Sequence, residues 1–288
     1  CPKNQVDSDK IAGSLIDEGL TPTDDPSVAD LVVVNTCAFI EEAREESINT
    51  ILALDTERSA DSRIVVTGCM AERYGVELAE ALPEVDRVAG FGVPVNFRTR
   101  PDGLSAIAEA EAPQFDLLNL RRPASDLPWA YVKIAEGCDR ACGFCAIPSF
   151  RGPQRSRDSE SILQEIEDLG VREAVLVAQD LASYGSDIGK RGSIVSLVEA
   201  AAKVVDRVRL LYLYPSDLSN ELIEAILASG VPYFDLSLQH VSRGHLRRMK
   251  RWGNGQKFLE RIGRIREMCP EATFRSNFIV GYPGETED

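Results

Sequence analysis

Three thiols fall within eight residues of sequence, in the segment Cys138-Asp-Arg-Ala-Cys142-Gly-Phe-Cys145. An iron–sulfur cube needs thiolates that approach different corners from one side, and gaps of three and then two residues allow one loop to supply three of them. Three ligands leave the fourth iron open, and an open coordination position is what separates a catalytic metal site from a closed structural one. The segment therefore predicts an iron–sulfur site that can bind a substrate.

Zinc binding and incidental clustering are the alternatives for this triplet, and both fit the sequence less well. Zinc sites usually pair thiols as C-x2-C and recruit a second pair elsewhere, so the gap of three and the lone triplet disfavour zinc. Three incidental loop cysteines are disfavoured by the tight clustering. The preceding residues, 129–134, are mostly β-branched or aromatic and predict a buried strand, so the thiols are expected on the loop at its end.

Two more cysteines follow predicted strands in the first hundred residues. The apolar segments 30–37 and 63–69 predict buried strands, and each ends in a cysteine, Cys37 and Cys69. A helical pattern follows each strand, so the strands should be parallel and the two cysteines should meet at one edge of the sheet. Cys1 becomes the third ligand if a strand precedes it. Singly, each would be a small buried hydrophobic residue, but three at equivalent strand ends favour a second cluster.

The remaining patterns of the first part predict three helices and one short strand. We predict a helix capped by Asp7 or Ser8 that closes near Gly19, a helix with Ile48, Ile51, Leu52 and Leu54 on one face, a helix at 72–82 and a short strand near Val88. Prolines then interrupt the pattern, so residues 101–127 are predicted as a linker that contains a short helix at 104–110. The domains are expected at 1–100 and 128–288.

Helices and strands alternate again after the cysteine triplet, which predicts a partial β/α barrel and an α/β fold class. Strands are expected at 174–178, 208–213, 233–238 and 274–280, and helices at 159–170, 193–205, 218–229 and 256–268. Sites in such barrels lie at the carboxyl ends of the strands. The polar residues expected there are Gln179, Asp180, Tyr214, Gln239, His240 and the segment 281–284.

Four further features have ordinary structural interpretations beside functional ones. Arg151, Arg155 and Arg157 are expected in a loop, and the basic run 243–251 could contact an anion, although a solvated helix face is the preferred interpretation. His240 could bind substrate or cofactor, or be structural. Cys269 is expected to be a plain buried thiol.

The net charge of −14 is concentrated in the first part of the chain. Residues 1–120 hold 9 basic and 23 acidic residues, whereas the remaining residues hold 23 of each. Such an acidic surface should repel a phosphate backbone and attract a basic protein, although solubilising charge is the alternative. Seven cysteines, no apolar run of membrane-spanning length and no signal peptide favour a reduced, cytoplasmic cofactor protein over an exported lipoprotein that begins with cysteine.

The triplet, with Phe144 before its last cysteine, resembles the radical S-adenosylmethionine (SAM) enzymes. The resemblance implies that Cys138, Cys142 and Cys145 hold a 4Fe-4S cluster whose free iron binds the amino and carboxylate groups of SAM, with Phe144 near the adenine. Gln179, Gln239 and Gly281, at the predicted strand ends, are further candidates for cofactor binding. No separate catalytic side chain is implied.

Within that superfamily the whole chain resembles the methylthiotransferases, whose N-terminal domain carries its own three-cysteine 4Fe-4S cluster, which Cys1, Cys37 and Cys69 match. The segments 1–4, 35–40, 133–138, 177–180, 233–240 and 278–286 resemble the member that methylthiolates an aspartate of ribosomal protein S12. The resemblance implies two SAM molecules, one giving a methyl group and one a radical that removes hydrogen from the aspartate β-carbon.

The resemblance also implies which partners the protein has and how much of the family's fold this chain covers. Ribosomal protein S12 would be the basic substrate, a flavodoxin or ferredoxin the electron donor, and nucleic acid would not be the direct substrate. The family has a strand before Cys1 and a C-terminal TRAM domain beyond Asp288, so the chain is expected to be a fragment. The alternatives are a tRNA methylthiotransferase and a non-catalytic iron–sulfur redox protein.

Overall fold

Helices alternate with mostly parallel strands in residues 1–95 and 116–286, which are the residues described by the structure, a computed structural model. The chain divides into two units, Cys1–Pro123 and Ala124–Asp288, and each contains its own parallel sheet. The predicted helix at 104–110 lies outside the described residues. The α/β fold class predicted from the alternation is confirmed.

The first unit is a three-stranded parallel sheet with helices between its strands. Its elements are α1 (Pro2–Asp17), β1 (Leu31–Thr36), α2 (Glu41–Glu57), β2 (Arg63–Gly68), α3 (Cys69–Ala81) and β3 (Arg87–Val88). The strand order is β1-β2-β3, and Thr36 lies opposite Gly68 at the ends of the first two strands. Cys37 and Cys69 therefore leave the same edge of the sheet, as the sequence predicts.

Three helical details of this unit differ from the predictions. Helix α1 begins at Pro2 instead of Asp7 or Ser8, because proline has the φ angle of a first helical turn and lacks only an N–H that would be unbonded there. Helix α3 begins at Cys69, three residues earlier than predicted. In α2, Ile51 is fully buried but Leu52 is 38% exposed, because consecutive residues point about 100° apart around a helix.

Residues 116–119, within the predicted linker segment, pack against the first helix. The Lys10 side chain is fully buried, and its Nζ donates a hydrogen bond of 2.6 Å to the carbonyl oxygen of Leu118. Leu117 lies in the same apolar cluster as Ile11 and Val65. A buried ammonium group needs such a partner, so this contact fixes the segment on α1.

The second unit contains the predicted succession of parallel strands. Its elements are β4 (Trp129–Lys133), β5 (Ala135–Glu136), α4 (Ile147–Arg151), β6 (Arg155–Ser156), α5 (Ser159–Leu169), β7 (Glu173–Val177), α6 (Ile194–Ala201), β8 (Arg207–Leu210), α7 (Asn220–Ala228), β9 (Tyr233–Gln239), α8 (Arg243–Arg248), α9 (Gly255–Met268) and β10 (Thr273–Phe278). One parallel sheet has the order β4-β7-β8, and β9 pairs in parallel with β10. A parallel bridge between Leu213 and Leu236 connects the chain after β8 to β9. This is a partial β/α barrel.

Local sequence explains the helices that cover this sheet. In α5, the Asp158 carboxylate accepts hydrogen bonds from the first-turn N–H groups, and Gly170 ends the helix in the left-handed conformation. Ile162, Ile166 and Leu169 recur at helical spacing and are buried against the strands. Strand β8 ends at Leu210, earlier than predicted, because Tyr212 has a φ of 64° and leaves the extended conformation. No helix among the described residues is long and apolar enough to span a membrane.

Candidate metal centres

The cysteine triplet lies on a loop that joins β5 to β6, and these two strands pair antiparallel and close the base of the loop. The Cys138 N–H donates a hydrogen bond of 3.1 Å to the Gly152 carbonyl oxygen across that base. Gly137 has a φ of 76°, and a Cβ there would lie 2.0 Å from the Pro153 oxygen, so only glycine fits. The loop therefore leaves β5 and returns to β6 through a narrow neck.

All three thiols of the loop are partly exposed. The Cys145 N–H donates to the Cys142 carbonyl oxygen at 3.1 Å, which turns the chain between these two cysteines. The Cys138 sulfur accepts a hydrogen bond of 3.4 Å from the Arg140 N–H. Burial raises the pKa of the Cys138 thiol to about 11 despite that bond, and the charges of Asp180, Cys145 and Cys142 act in the same direction. The thiols thus lie within electrostatic range of one another.

Arg251, three residues after the end of α8, contacts the cysteine loop. Its Nη1 donates a hydrogen bond of 3.5 Å to the Cys142 sulfur, and its Nη2 donates to the Ser237 carbonyl oxygen in β9. The guanidinium carbon lies 3.9 Å from the centroid of the Tyr214 ring. A permanently charged donor is therefore directed at one of the candidate ligand sulfurs.

Arg140 ties the loop to two other strand ends. Its Nε donates to Asp180 Oδ2 at 2.6 Å, just after β7, and its Nη2 donates to Asp217 Oδ2, after β8. Its guanidinium carbon lies 4.0 Å from the centroid of the same Tyr214 ring. The loop is therefore attached to the carboxyl ends of the barrel strands, where sites in this kind of fold lie.

A buried carboxylate, Glu136, gathers the groups at the neck of the loop. Its Oε2 accepts from Lys133 Nζ at 2.7 Å and from Arg151 Nη1 at 2.8 Å, and its Oε1 accepts from the Gly137 N–H at 3.1 Å and from Gln179 Nε2. Burial alone would raise the pKa of Glu136, but the two cations outweigh burial and hold the pKa well below its usual range. The carboxylate is therefore charged, and each of its two oxygens accepts two hydrogen bonds.

The expectation of three arginines in a loop is corrected for Arg151 and Arg155, which lie in α4 and β6, and is confirmed for Arg157, which lies between β6 and α5. Arg151 ends α4 and is paired with Glu136, whereas Arg157 is buried and bonds to Glu165 Oε2 at 2.5 Å. Arg155 lies in the short strand β6. Two of the three guanidinium groups are therefore bound inside the protein, because a buried charge needs a partner.

The other predicted cofactor-binding residues are spread along the strand ends. Gln179 is bound to Glu136, and Phe144 packs on the core of the second unit. Gln239 ends β9 with a φ of 71° and accepts from the Ile279 N–H at 2.8 Å. Gly281 has open space around it, with a φ of 71°. One residue further on, the Tyr282 hydroxyl lies 3.3 Å from the position that a Cβ at residue 143 would take, so this segment reaches the cysteine loop.

His240 uses both ring nitrogens inside the protein. Nδ1 accepts from the Ser242 N–H at 2.9 Å, so Nε2 carries the proton and donates to Glu285 Oε1 at 3.0 Å. The ring stacks on His245 with a centroid distance of 4.5 Å. Cys269 is partly buried at the end of α9, against the core of this unit. These contacts are those of structural residues.

The first unit places its cysteines at one edge of its sheet. Cys1 is the N-cap of α1 and exposed, Cys37 follows β1 and is partly buried, and Cys69 begins α3 and is buried. The Cys37 N–H donates to Ser47 Oγ at 3.2 Å. At Gly68, a Cβ would lie 2.6 Å from the backbone oxygen of Thr36, so a larger residue there would collide with the end of β1.

Asn4, in the first turn of α1, connects the three positions. Its Nδ2 donates to the carbonyl oxygen of Thr36, the residue before Cys37, at 3.0 Å. Its Oδ1 accepts from the Cys69 thiol at 3.7 Å. Helix α1 is thus tied, three residues after Cys1, to both strand ends that carry the other thiols.

Neither cysteine set forms a closed ligand cage by itself: in the described ranges, no group of three His, Cys, Asp or Glu side chains is close enough to hold a metal ion. The donor set of the second unit nevertheless fits an iron–sulfur group. Three thiols lie on one closed loop, and two of their sulfurs already accept N–H donors, which are the contacts that surround ligand sulfurs in such sites.

Sequence reasoning did not single out Glu136, Arg140 or Arg251 as site residues. The first two flank Cys138 at a distance of two residues, so their position in the motif was a signal that could have found them. Arg251 lies 109 residues from Cys142, in a basic run whose composition favours a solvated helix face. Only the tertiary structure brings it to the sulfur.

Comparisons with known proteins first show the class of protein to which the second unit belongs. The model of the radical SAM superfamily matches residues 132–288, and that of the uncharacterized protein family UPF0004 matches residues 1–90. Among solved structures, the radical SAM methyltransferase TsrM from Kitasatospora setae has a TM-score of 0.54 at 18% identity, covering 98% of this chain and 60% of that chain. At such identity the likeness concerns the fold alone. The second unit is a radical SAM domain.

The curated relatives then identify the family. The ribosomal protein uS12 methylthiotransferase RimO of Kineococcus radiotolerans is 41% identical over 100% of this chain and 68% of its own length. That of Saccharopolyspora erythraea is 42% identical over 100% of this chain and 67% of its own length. The chain belongs to the RimO family of methylthiotransferases.

Proposed function

We propose that this protein adds a methylthio group to the β-carbon of an aspartate in ribosomal protein uS12. The observation that carries the proposal is the closed cysteine loop, anchored by Glu136, Arg140 and Arg251 at the carboxyl ends of the barrel strands. Relatives named for this activity align with the whole chain at 41% and 42% identity.

Two sets of three cysteines would hold two 4Fe-4S clusters. Cys138, Cys142 and Cys145 would bind the cluster that takes SAM, and Cys1, Cys37 and Cys69 would bind the second. Bound there, cluster and SAM supply a radical that can remove hydrogen from an unactivated carbon, which no protein side chain can do. The motif C-x3-C-x2-C and the radical SAM match support the first set, and the shared strand edge supports the second.

The protein's own residues position these groups. Glu136 holds the neck of the loop, Arg140 fixes the loop to the ends of β7 and β8, and Arg251 fixes Cys142. Phe144, Gln179, Gln239 and Gly281 are our candidates for contacts to SAM. Their positions at or beside the strand ends support this assignment. No acid–base pair is needed, because removal of hydrogen from this carbon by a radical does not depend on the acidity of the C–H bond.

The substrate and the reductant follow from charge and chemistry. The net charge of −14 within residues 1–120 favours a cationic protein such as uS12 over a phosphate backbone. Reduction of the cluster requires an external one-electron donor of the flavodoxin or ferredoxin type. A cytoplasmic location is part of the same proposal.

The experiment that tests the proposal separates the two cysteine sets. The complete protein, reconstituted anaerobically, should form deoxyadenosine from SAM and methylthiolate uS12. Cys142→Ala removes a ligand of the cluster that binds SAM and should abolish deoxyadenosine. Cys37→Ala should spare deoxyadenosine and eliminate the methylthio product. Loss of deoxyadenosine in both variants, each shown to be folded, would contradict the division of roles.

A further inference from the structure

Arg251 follows α8 through a turn that fixes its backbone. The Arg251 N–H donates to the Leu246 oxygen at 2.7 Å, and the Lys250 N–H donates to the Arg247 oxygen at 3.1 Å. This pair of hydrogen bonds closes a helix around one left-handed residue, a position that glycine usually takes. Here it is Lys250, with a φ of 54°, and a non-glycine residue holds that conformation only where surrounding contacts require it.

Three contacts from different elements then fix the Arg251 side chain. The guanidinium donates to the Ser237 carbonyl oxygen of β9, lies over the Tyr214 ring, and donates to the Cys142 sulfur at 3.5 Å. A planar guanidinium held at several points has little freedom to turn away from the sulfur. The turn fixes the Arg251 backbone and the three contacts fix its side chain, so both hold the guanidinium at the Cys142 sulfur.

Arg251 differs from the nearby Arg140 in its charged partners within the described residues. In the described part of the chain, Arg251 forms no ion pair with a carboxylate, whereas the nearby Arg140 is paired with both Asp180 and Asp217. Of the two guanidinium groups over the Tyr214 ring, that of Arg251 donates to a cysteine sulfur, so its positive charge lies directly at Cys142.

We infer that Arg251 is a positioning residue that raises the reduction potential of the cluster held by Cys138, Cys142 and Cys145. The inference rests on the proposed function, because it requires a cluster at these cysteines. Hydrogen bonds to ligand sulfurs and local net charge are among the factors that set the potential of an iron–sulfur group. Arg251 supplies both at one sulfur.

The sign follows from the charge of the two redox states. Reduction transfers one electron from an external low-potential reductant, which is itself oxidised, and forms or breaks no bond of the protein. The reduced state is more negative by one charge, so a nearby cation stabilises it more than the oxidised state. Arg251 therefore makes the electron transfer that precedes SAM cleavage more favourable.

The test compares two neighbouring charge removals. In the complete protein, Cys1, Cys37 and Cys69 are changed to Ala so that only the second site binds a cluster. Arg251→Gln and the control Lys250→Gln each remove one positive charge, but only Arg251 contacts a ligand sulfur. A dithionite titration followed by electron paramagnetic resonance should give a reduction equilibrium constant at least tenfold lower for Arg251→Gln, a midpoint shift of about 59 mV. Lys250→Gln should shift the midpoint by less than half as much.

Arg251→Lys keeps the charge but loses the planar guanidinium. It should lower the midpoint by less than the roughly 59 mV expected for Arg251→Gln, and it replaces the glutamine variant if that variant loses iron. Equal midpoints for Arg251→Gln and Lys250→Gln, at full iron content, would show the inference to be wrong. Weaker SAM binding with an unchanged midpoint would also overturn it, because Arg251 would then be a SAM ligand. Absence of any cluster in the parent protein would instead contradict the proposed function.

Discussion

Single side chains at the neck of the cysteine loop carry more than one contact each. Glu136 accepts hydrogen bonds from Lys133, Arg151, Gln179 and the Gly137 N–H. The side chains of Lys133 and Arg151 are only 1% and 3% exposed, so Glu136 is a charged partner shared by two cations that water hardly reaches. It therefore determines the stability of the unit as well as the shape of the loop.

Glu136→Gln should reduce the free energy of unfolding by roughly 3–5 kcal/mol, because it removes the carboxylate charge that lies against two buried cations. Urea unfolding of the iron-free protein measures this loss. The two tryptophans, Trp129 and Trp252, both lie in the second unit, so their fluorescence reports on that unit alone.

The matched control is Asp206→Asn, which removes a carboxylate whose partner is exposed. Asp206 pairs with Arg172, and the two side chains are 59% and 81% exposed. Exposed pairs contribute about 1 kcal/mol or less. A loss for Glu136→Gln as small as that of the control would contradict the role assigned to Glu136.

Residue types and spacing predict the cysteines but not their partners. The triplet and the strand-end cysteines stand out because few other roles place thiols at such intervals. The charged residues around them stand out less. Glu136 and Arg140 are marked by their position two residues from Cys138, whereas Arg251 acquires its role only from contacts with distant elements. A basic run such as 243–251 has the same composition whether its arginines face water or a sulfur.

At the scale of elements, the loop depends on a glycine at its entrance. Gly137→Ala would place a Cβ 2.0 Å from the Pro153 oxygen, so Cys138 or the returning strand must move. We expect reconstituted protein to lose the iron of the second site, about four atoms if that site holds a cube. Iron analysis of the complete protein measures this loss.

Gly170→Ala is the control for backbone strain. Gly170 also has a positive φ, of 63°, but no atom lies within 4 Å of the Cβ position. The substitution should cost about 1–2 kcal/mol of stability for a left-handed alanine and leave the iron content unchanged. If Gly137→Ala bound as much iron as Gly170→Ala, the close approach at the neck would not control the site.

Element types could be predicted from periodicity, and element ends often could not. The parallel strands and the cap and end of α5 follow from apolar runs, Asp158 and Gly170. The predicted starts of α1 and α3 lie too far along the chain. The true N-caps, Cys1 and Gly68, form no side-chain capping hydrogen bond, so their residue types do not indicate a helix start. These starts matter for function, since they place Cys1 and Cys69 at helix N-termini.

At the scale of the whole molecule, the proposed reaction requires two metal sites. Complete protein reconstituted anaerobically should bind about eight irons, two cubes of four. Changing Cys138, Cys142 and Cys145 together to Ala should remove about half of the iron, and changing Cys1, Cys37 and Cys69 together should remove the other half. Unchanged iron content in either triple variant would exclude a cluster at that set.

The uneven charge of the chain is a property of the whole molecule that bears on its substrate. The acidic excess lies within residues 1–120, whereas acidic and basic residues balance in the rest. Attraction between exposed charges is screened within roughly 8 Å at physiological ionic strength, so this preference acts over short distances and weakens as salt rises. Composition thus favours a cationic protein, and only the product can identify it.

The most direct measurement offers the complete, reconstituted enzyme both ribosomal protein uS12 and a tRNA carrying the modified adenosine, and then determines the mass of each. We predict a methylthio addition on an aspartate of uS12 and none on the tRNA. A methylthio addition on the tRNA, with the uS12 aspartate unchanged, would contradict the proposed function.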